Sequence, residues 1–177
     1  MSASTQLMDA SAIRLAVARI AHQLAETLAS DEPVIVLGIQ RGGVGMARRL
    51  AAELSAIRGH DVAHGAIDCG MHRDDIHQRP ETELHPTDVP EDIDDRTVVL
   101  ADDVIASGRT VRAALDALNT LGRPRRVQLA VMVDRGHREL PIQPDHFGRL
   151  VTADPADHVA VKWLEEHGED AVHVAPA

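Results

Sequence analysis

Val98 to Thr110 reads VVLADDVIASGRT. Val98, Val99 and Leu100 form an apolar run too short for a helix and rich in β-branched side chains, which predicts a buried parallel strand. From Arg109 onward the apolar positions Val111, Ala114, Leu115 and Leu118 recur at helical spacing, until Gly122 and Pro124 stop the pattern. An acidic pair, Asp102 and Asp103, is therefore delivered to the C-terminal end of a strand, and the small-residue turn from Ala106 to Thr110 opens a helix. A strand, turn and helix in this order belong to an α/β protein that takes its ligand at the carboxyl edge of its sheet.

The turn has the chemistry of an anion cradle. N–H groups at the start of a helix lack intrahelical partners, and the helix dipole and the hydroxyls of Ser107 and Thr110 favour a phosphate there. Gly108 keeps a Cβ away from the anion, and Val104, Ile105 and Arg109 complete the loop. Asp102 and Asp103 repel phosphate, but they accept hydrogen bonds from vicinal sugar hydroxyls and ligate Mg²⁺. Ribose with phosphate satisfies both halves of the motif, and phosphate alone does not. For an isolated Asp-Asp pair, a plain turn with one Asp capping the helix is the competing reading. Two acids with Ser, Gly and Thr in the window 102–110 argue against it.

The rest of the chain alternates in the same way. Ile13, Val17, Ile20, Leu24 and Leu28 make one apolar helical stripe, with Arg14, Arg19, His22 and Glu26 off it. Val34 to Ile39 predicts a buried strand, and Val44 to Ile57 a helix with Leu50, Leu54 and Ile57 toward the core. A further apolar strand, in Leu129 to Ile142 (LAVMVDRGHRELPI), ends at Asp134 and Arg135. The expected fold is α/β: an open, mostly parallel twisted sheet with helices on both faces, in one domain over residues 1–177. The turn Gly38 to Gly45 (GIQRGGVG) holds four glycines in eight residues, which implies a close backbone approach to something. Met71 to Arg96 predicts a long loop or extended hairpin, because Pro80, Pro86 and Pro90 prevent regular pairing.

Composition sets bounds. A chain of 177 residues can bury roughly 70% of its unfolded surface without disulfide or metal staples. Its single cysteine, Cys69, excludes an internal disulfide framework and reads as a small buried hydrophobe. The start MSASTQLMDA has no basic segment followed by an apolar core, and no run approaches a membrane span, so a cytoplasmic protein is expected. The net charge of −10 argues against broad nonspecific nucleic-acid binding. Residues 73–96 carry nine acids and three arginines, whereas residues 123–138 carry five arginines and one acid. Seventeen of the eighteen basic residues are arginine, which suits bidentate phosphate contacts but follows equally from codon bias. The eleven histidines form no helical pair with a carboxylate, since His72 and His77 lie in the loop, and no zinc site is expected.

VVLADDVIASGRT resembles the phosphoribosyl-pyrophosphate (PRPP) signature of the type I phosphoribosyltransferases. The stretches RIAHQLAE, VLGIQRGGVGMARRLAAEL, HRDD, DVPEDIDD and LAVMVDRGHRELPI are similar to the PyrR family, bacterial pyrimidine-operon attenuation proteins that are also uracil phosphoribosyltransferases. The resemblance covers all but a divergent tail, about 150–177, and implies the type I phosphoribosyltransferase fold with a flexible flap or hood segment at about 70–96. It implies PRPP and uracil as substrates, UMP as product, Mg²⁺ as cofactor, a homodimer or homotetramer, and a pyrimidine leader RNA as partner. By that resemblance Asp102, Asp103, Arg41 and Arg73 are catalytic, Asp102 and Asp103 holding Mg²⁺ with PRPP. Residues 102–110, with Gln40, Arg41, Gly42 and Gly43 on the pyrophosphate side, bind PRPP and nucleotide. Asp134 and Arg135 lie by the base, and Arg19, His22 and Arg138 face RNA. The chain departs from the family at Arg41–Gly42, where the family has Thr-Arg or Thr-Gly. Other departures are His72 for tyrosine, Ala18 for threonine, Gln143 for arginine and Ala106 for a bulky residue. A regulator that binds UMP and RNA without turnover, and a transferase for another base, are the competing functions.

Overall fold

The computed structural model describes residues 4–75 and 85–177. In chain order its elements are β1 (Thr5–Met8), α1 (Ala10–Thr27), β2 (Val34–Ile39), α2 (Gly43–Arg58), β3 (Ala63–Ile67), β4 (Thr97–Ile105), α3 (Arg109–Leu121), β5 (Arg126–Asp134), β6 (His146–Leu150), β7 (His158–Lys162), α4 (Leu164–His167) and β8 (Ala171–Ala175). The main sheet has five strands in the order β3-β2-β4-β5-β6, and every pairing in it is parallel. Its central strands are apolar on both sides because helices cover both faces. On one face α1 and α2 bury Ile13, Ile20, Leu24, Leu50 and Leu54 against Val36, Val99 and Met132. On the other, Val111, Ala114 and Leu118 of α3 pack on Leu37, Leu100 and Val131. Asp9 caps α1, its Oδ1 accepting from the Ala12 N–H at 2.8 Å.

One expectation changes, and two parts of the chain gain elements that the sequence pattern does not announce. Ile57 is 36% exposed: it shares the face of Leu50 and Leu54, but it stands in the last turn of α2, at the rim of the core. The tail is structured: β7, α4 and β8 lie in it, and a second, antiparallel sheet runs β1-β8-β7. The N-terminal segment supplies its edge strand β1, which the sequence reading left without structure. Of the loop from Met71 to Arg96, the described limbs include a single helical turn, Gly70–His72, and an antiparallel bridge between Ala66 and Asp88. Pro80 and His77 lie outside the described residues. No helix among the described residues is long and apolar enough to cross a membrane.

Beneath the sheet, at the N-terminal ends of β4 and β5, sits a half-buried carboxylate. Glu32 accepts from the Thr97 hydroxyl and, at 3.1 Å, from the Ala29 N–H. It also pairs with Arg125 at 2.7 Å and Arg126 at 3.2 Å. Burial opposes its charge, but these donors outweigh burial and hold its carboxyl at about 2, against 4.5 ordinarily. Because the unfolded chain takes up this proton first, the contribution is complete above about pH 4.5 and is lost as pH falls toward 2. Glu32→Gln is therefore expected to lower the melting temperature at neutral pH and to flatten its fall between those limits. Parallel melting curves for wild type and variant across that range would refute the assignment.

Candidate active site

Asp102 and Asp103 occupy the C-terminal part of β4, between two helices whose N-termini both open at the carboxyl edge of the sheet. On one side β4 turns into α3 through Ala106–Gly108. Gly108 adopts φ +89°, so glycine is needed there by conformation; beyond it lie Leu140 and Ile142, at van der Waals distance from where a Cβ would stand. The N–H groups of Ser107, Gly108 and Thr110 have no protein acceptor among the described residues, and that of Arg109 meets Ser107 Oγ at 3.3 Å. Asp102, Val104 to Gly108, Thr110 and Val111 enclose a cleft of about 90 Å³.

On the other side β2 turns into α2 through Gln40–Gly42, with a cis peptide between Gln40 and Arg41. The four glycines find their close approach within the protein. A Cβ on Gly42 would stand 2.2 Å from the Asp103 carboxylate, and one on Gly43 would stand 2.1 Å from the Ala101 carbonyl oxygen. Gly38 is closed off by the Gly43 backbone, and Gly45 by the ring of Trp163. The loop is thus pressed against the acidic pair, with Arg41 exposed at its tip.

The acidic pair is electrostatically unsatisfied. Asp102 is 5% exposed, and burial followed by the adjacent Asp103 charge pushes its carboxyl well above the usual range. Burial raises Asp103 as well. Their protein donors are backbone N–H groups: Asp103 N–H to Asp102 Oδ1 at 3.0 Å and Val104 N–H to Asp103 Oδ1 at 2.7 Å. Such a pair favours a cation or hydroxyl donors beside it. Among the described residues no cluster of three or more metal-ligating side chains exists. The two carboxylates are hard oxygen ligands of the kind Mg²⁺ takes when most of its other ligands are water or a bound ligand.

Other expected residues are placed differently. Arg73 lies on the α3 side, bound to Asp75 at 2.8 Å and donating to Thr110 Oγ1 at 3.1 Å. It is therefore a neighbour of the phosphate cradle. Arg109 pairs with Asp74 and Glu139, and Arg112 donates to the His72 carbonyl at 2.9 Å, so the root of the 71–96 segment is tied to α3. Asp134 is buried, and its carboxylate is taken by Arg138 at 2.7 Å and the Gly136 N–H at 2.9 Å. Arg135 donates to the carbonyls of Asp154 and Pro155. Arg138 turns inward and Arg19 spends its guanidinium on the Phe147 and Gly148 carbonyls, whereas His22 is exposed on α1. Cys69 is buried, and burial pushes its thiol up, in keeping with an inert side chain.

Two contributions escaped the sequence reading. Val151 to Pro155, in the tail, crosses the end of β5: the Val151 N–H donates to the Asp134 carbonyl at 2.8 Å, and His137 Nε2 meets the Ala153 carbonyl at 2.8 Å. Trp163, the sole tryptophan, packs under the Gln40–Gly45 loop. Its rarity was the one available signal.

The family model for the phosphoribosyl transferase domain matches residues 3–166. A hypoxanthine-guanine phosphoribosyltransferase from Bacillus anthracis superposes with a TM-score of 0.72 at 17% identity, covering 98% of both chains. A hypoxanthine phosphoribosyl transferase from Trypanosoma cruzi reaches 0.74 at 16% identity, over 99% of this chain and 92% of its own. At these identities the structures speak to the fold alone. In sequence, the bifunctional protein PyrR of Mycobacterium ulcerans is 46% identical over 96% of this chain and 94% of its own. That of Corynebacterium efficiens is 49% identical over 94% and 90%. With that domain matched over most of its length and relatives this similar over nearly all of it, the chain belongs to the PyrR family of phosphoribosyltransferases.

Proposed function

We propose that the chain transfers ribose 5-phosphate from PRPP to uracil, forming UMP and pyrophosphate, and that its UMP-bound form binds a pyrimidine leader RNA. One observation carries the reading: the Asp102–Asp103 pair lies between two helix N-termini, one phosphate-sized cleft at α3 and one glycine loop at α2. Only a ligand with a diol between two phosphate groups uses all three.

In that reading the Ser107–Thr110 turn holds the 5′-phosphate, with Arg73 orienting the Thr110 hydroxyl. Asp102 and Asp103 accept from the ribose hydroxyls and would hold Mg²⁺, which when bound neutralises charge on the pyrophosphate. As the bond from C1 to pyrophosphate breaks, negative charge would grow beside the α2 N-terminus and Arg41, whose positive ends would stabilise it. The base would lie beside the loop that follows β5, near Asp134 and Arg135. Because the Asp134 carboxylate is committed to Arg138 and Gly136, backbone groups rather than that side chain would distinguish the carbonyl of uracil from the amino group of cytosine.

A turnover assay with PRPP, Mg²⁺ and uracil, cytosine, orotate, hypoxanthine or guanine tests it. UMP from uracil alone is expected, abolished by Asp103→Asn. UMP binding without turnover on any base would leave a regulator only. Filter binding of the leader transcript is expected to strengthen when UMP is added, and UMP-independent binding would sink the regulatory half.

A further inference from the structure

The small antiparallel sheet reaches the glycine loop through one side chain. Trp163 follows β7, is fully buried, and donates its indole N–H to the Gly42 carbonyl at 3.0 Å. Its ring lies on the Cα of Gly45, where a Cβ would be 2.7 Å from Cγ and Cδ1. The opposite contact is Arg49 of α2, whose guanidinium stands 5.0 Å from the ring centroid and is itself fixed by Glu165 and Asp170, each at 2.7 Å. The backbone of Trp163 is held too, its N–H donating to His167 Nδ1 at 3.1 Å. Gly42, the acceptor, is the residue packed on the Asp103 carboxylate. A buried indole N–H needs a partner, and here that partner is the peptide joining the loop to α2.

We infer that Trp163 is the positioning residue of the Gln40–Gly45 loop: its indole N–H sets the Gly42 peptide, and with it the anion-facing end of α2, at the distance from Asp103 at which pyrophosphate binds. The inference rests on reading this loop as the pyrophosphate side. The sheet β1-β8-β7 is then part of the device that holds the leaving group. A shift of the loop of an ångström misplaces the donors that must meet it.

Trp163→Phe keeps a ring against Gly45 and removes the donor, together with part of the buried ring volume. Its KM for PRPP and its Kd for magnesium pyrophosphate, by calorimetry, are expected to rise about three- to tenfold, the worth of one hydrogen bond. Its affinity for UMP, whose phosphate sits at α3, is expected to hold. A side chain that merely supported the fold would weaken UMP and pyrophosphate together. The native protein offers a second readout, because with one tryptophan and no tyrosine its indole emission reports this site alone. Emission is expected to change on saturation with magnesium pyrophosphate and not with UMP. Unchanged emission with pyrophosphate, or equal pyrophosphate affinity in native protein and variant, overturns the inference and leaves the transferase reading standing. Native protein that binds neither PRPP nor pyrophosphate overturns both.

Discussion

Asp102→Asn is expected to melt above the wild-type protein while losing about two orders of magnitude in kcat/KM for PRPP. The two effects have one cause. Asp102 is buried and faces a second carboxylate, so the folded state favours its protonated form. In the unfolded chain the group ionises normally, and at neutral pH folding therefore has to hold a charge it disfavours. Asparagine removes that penalty and can still accept the Asp103 N–H at its Oδ1 position. Each kcal/mol recovered raises the melting temperature of a chain this size by about 2–4 °C. The sign with pH follows: the advantage of the variant is largest at neutral pH and shrinks as pH falls into the carboxylate range, where wild-type Asp102 is protonated. In the proposed function, charge lost to asparagine is charge lost to sugar hydroxyls and Mg²⁺, each such hydrogen bond being worth about 1.5–3 kcal/mol. PRPP with Mg²⁺ should then raise the wild-type melting temperature far more than that of the variant. A variant that melts lower than wild type and retains its turnover would show that the carboxylate is structural.

The residues that were readable in advance share a property: their local pattern and their role coincide. Val98 to Leu100 are buried on both faces and β-branched in the main, so strand β4 follows from composition, and the acids fall at its end by register. Ile13 to Leu24 on α1 and Val111 to Leu118 on α3 follow from spacing. Glycines are different. Gly42 and Gly43 announce a close approach without saying to what, and the answer, the end of β4, is some sixty residues away in sequence. Arginines are different again, since nothing in the run 123–138 separates the exposed, glutamate-paired Arg125 from the enclosed Arg138. The tail escaped for a third reason. Val159 and Val161 alternate with Ala160 and Lys162 over only five residues, too short a strand to stand out before its partners β1 and β8 are known.

Arg138→Ala is expected to cost about 3–5 kcal/mol of folding stability, the usual consequence of stranding a buried carboxylate. In a chain of 177 residues that is a fall in melting temperature of roughly 10 °C. The guanidinium is 13% exposed and pairs with Asp134 at 9% exposure. Its remaining donors go to the carbonyls of Ile142 at 2.8 Å, Ala106 at 2.9 Å and Gly136 at 3.2 Å, and to the Gln143 side chain at 3.3 Å. One side chain thus clamps the Ala106 carbonyl, at the start of the turn into α3, to the end of β5 and to the segment that covers Gly108. With its donors so committed, a role for Arg138 in the shape of this surface is the reading to test against direct contact with RNA. The two roles separate cleanly. Pairing Arg138→Met with Asp134→Leu removes both charges, and a double-mutant cycle is expected to recover more than half of the single-variant loss. An RNA-contacting arginine predicts the reverse: Arg138→Ala would melt with the wild type, turn over normally and fail only in the filter-binding assay. Loss of stability and of PRPP affinity in the single variant, restored together in the double, would identify the clamp as the element that keeps the phosphate turn and the base-side strand in register.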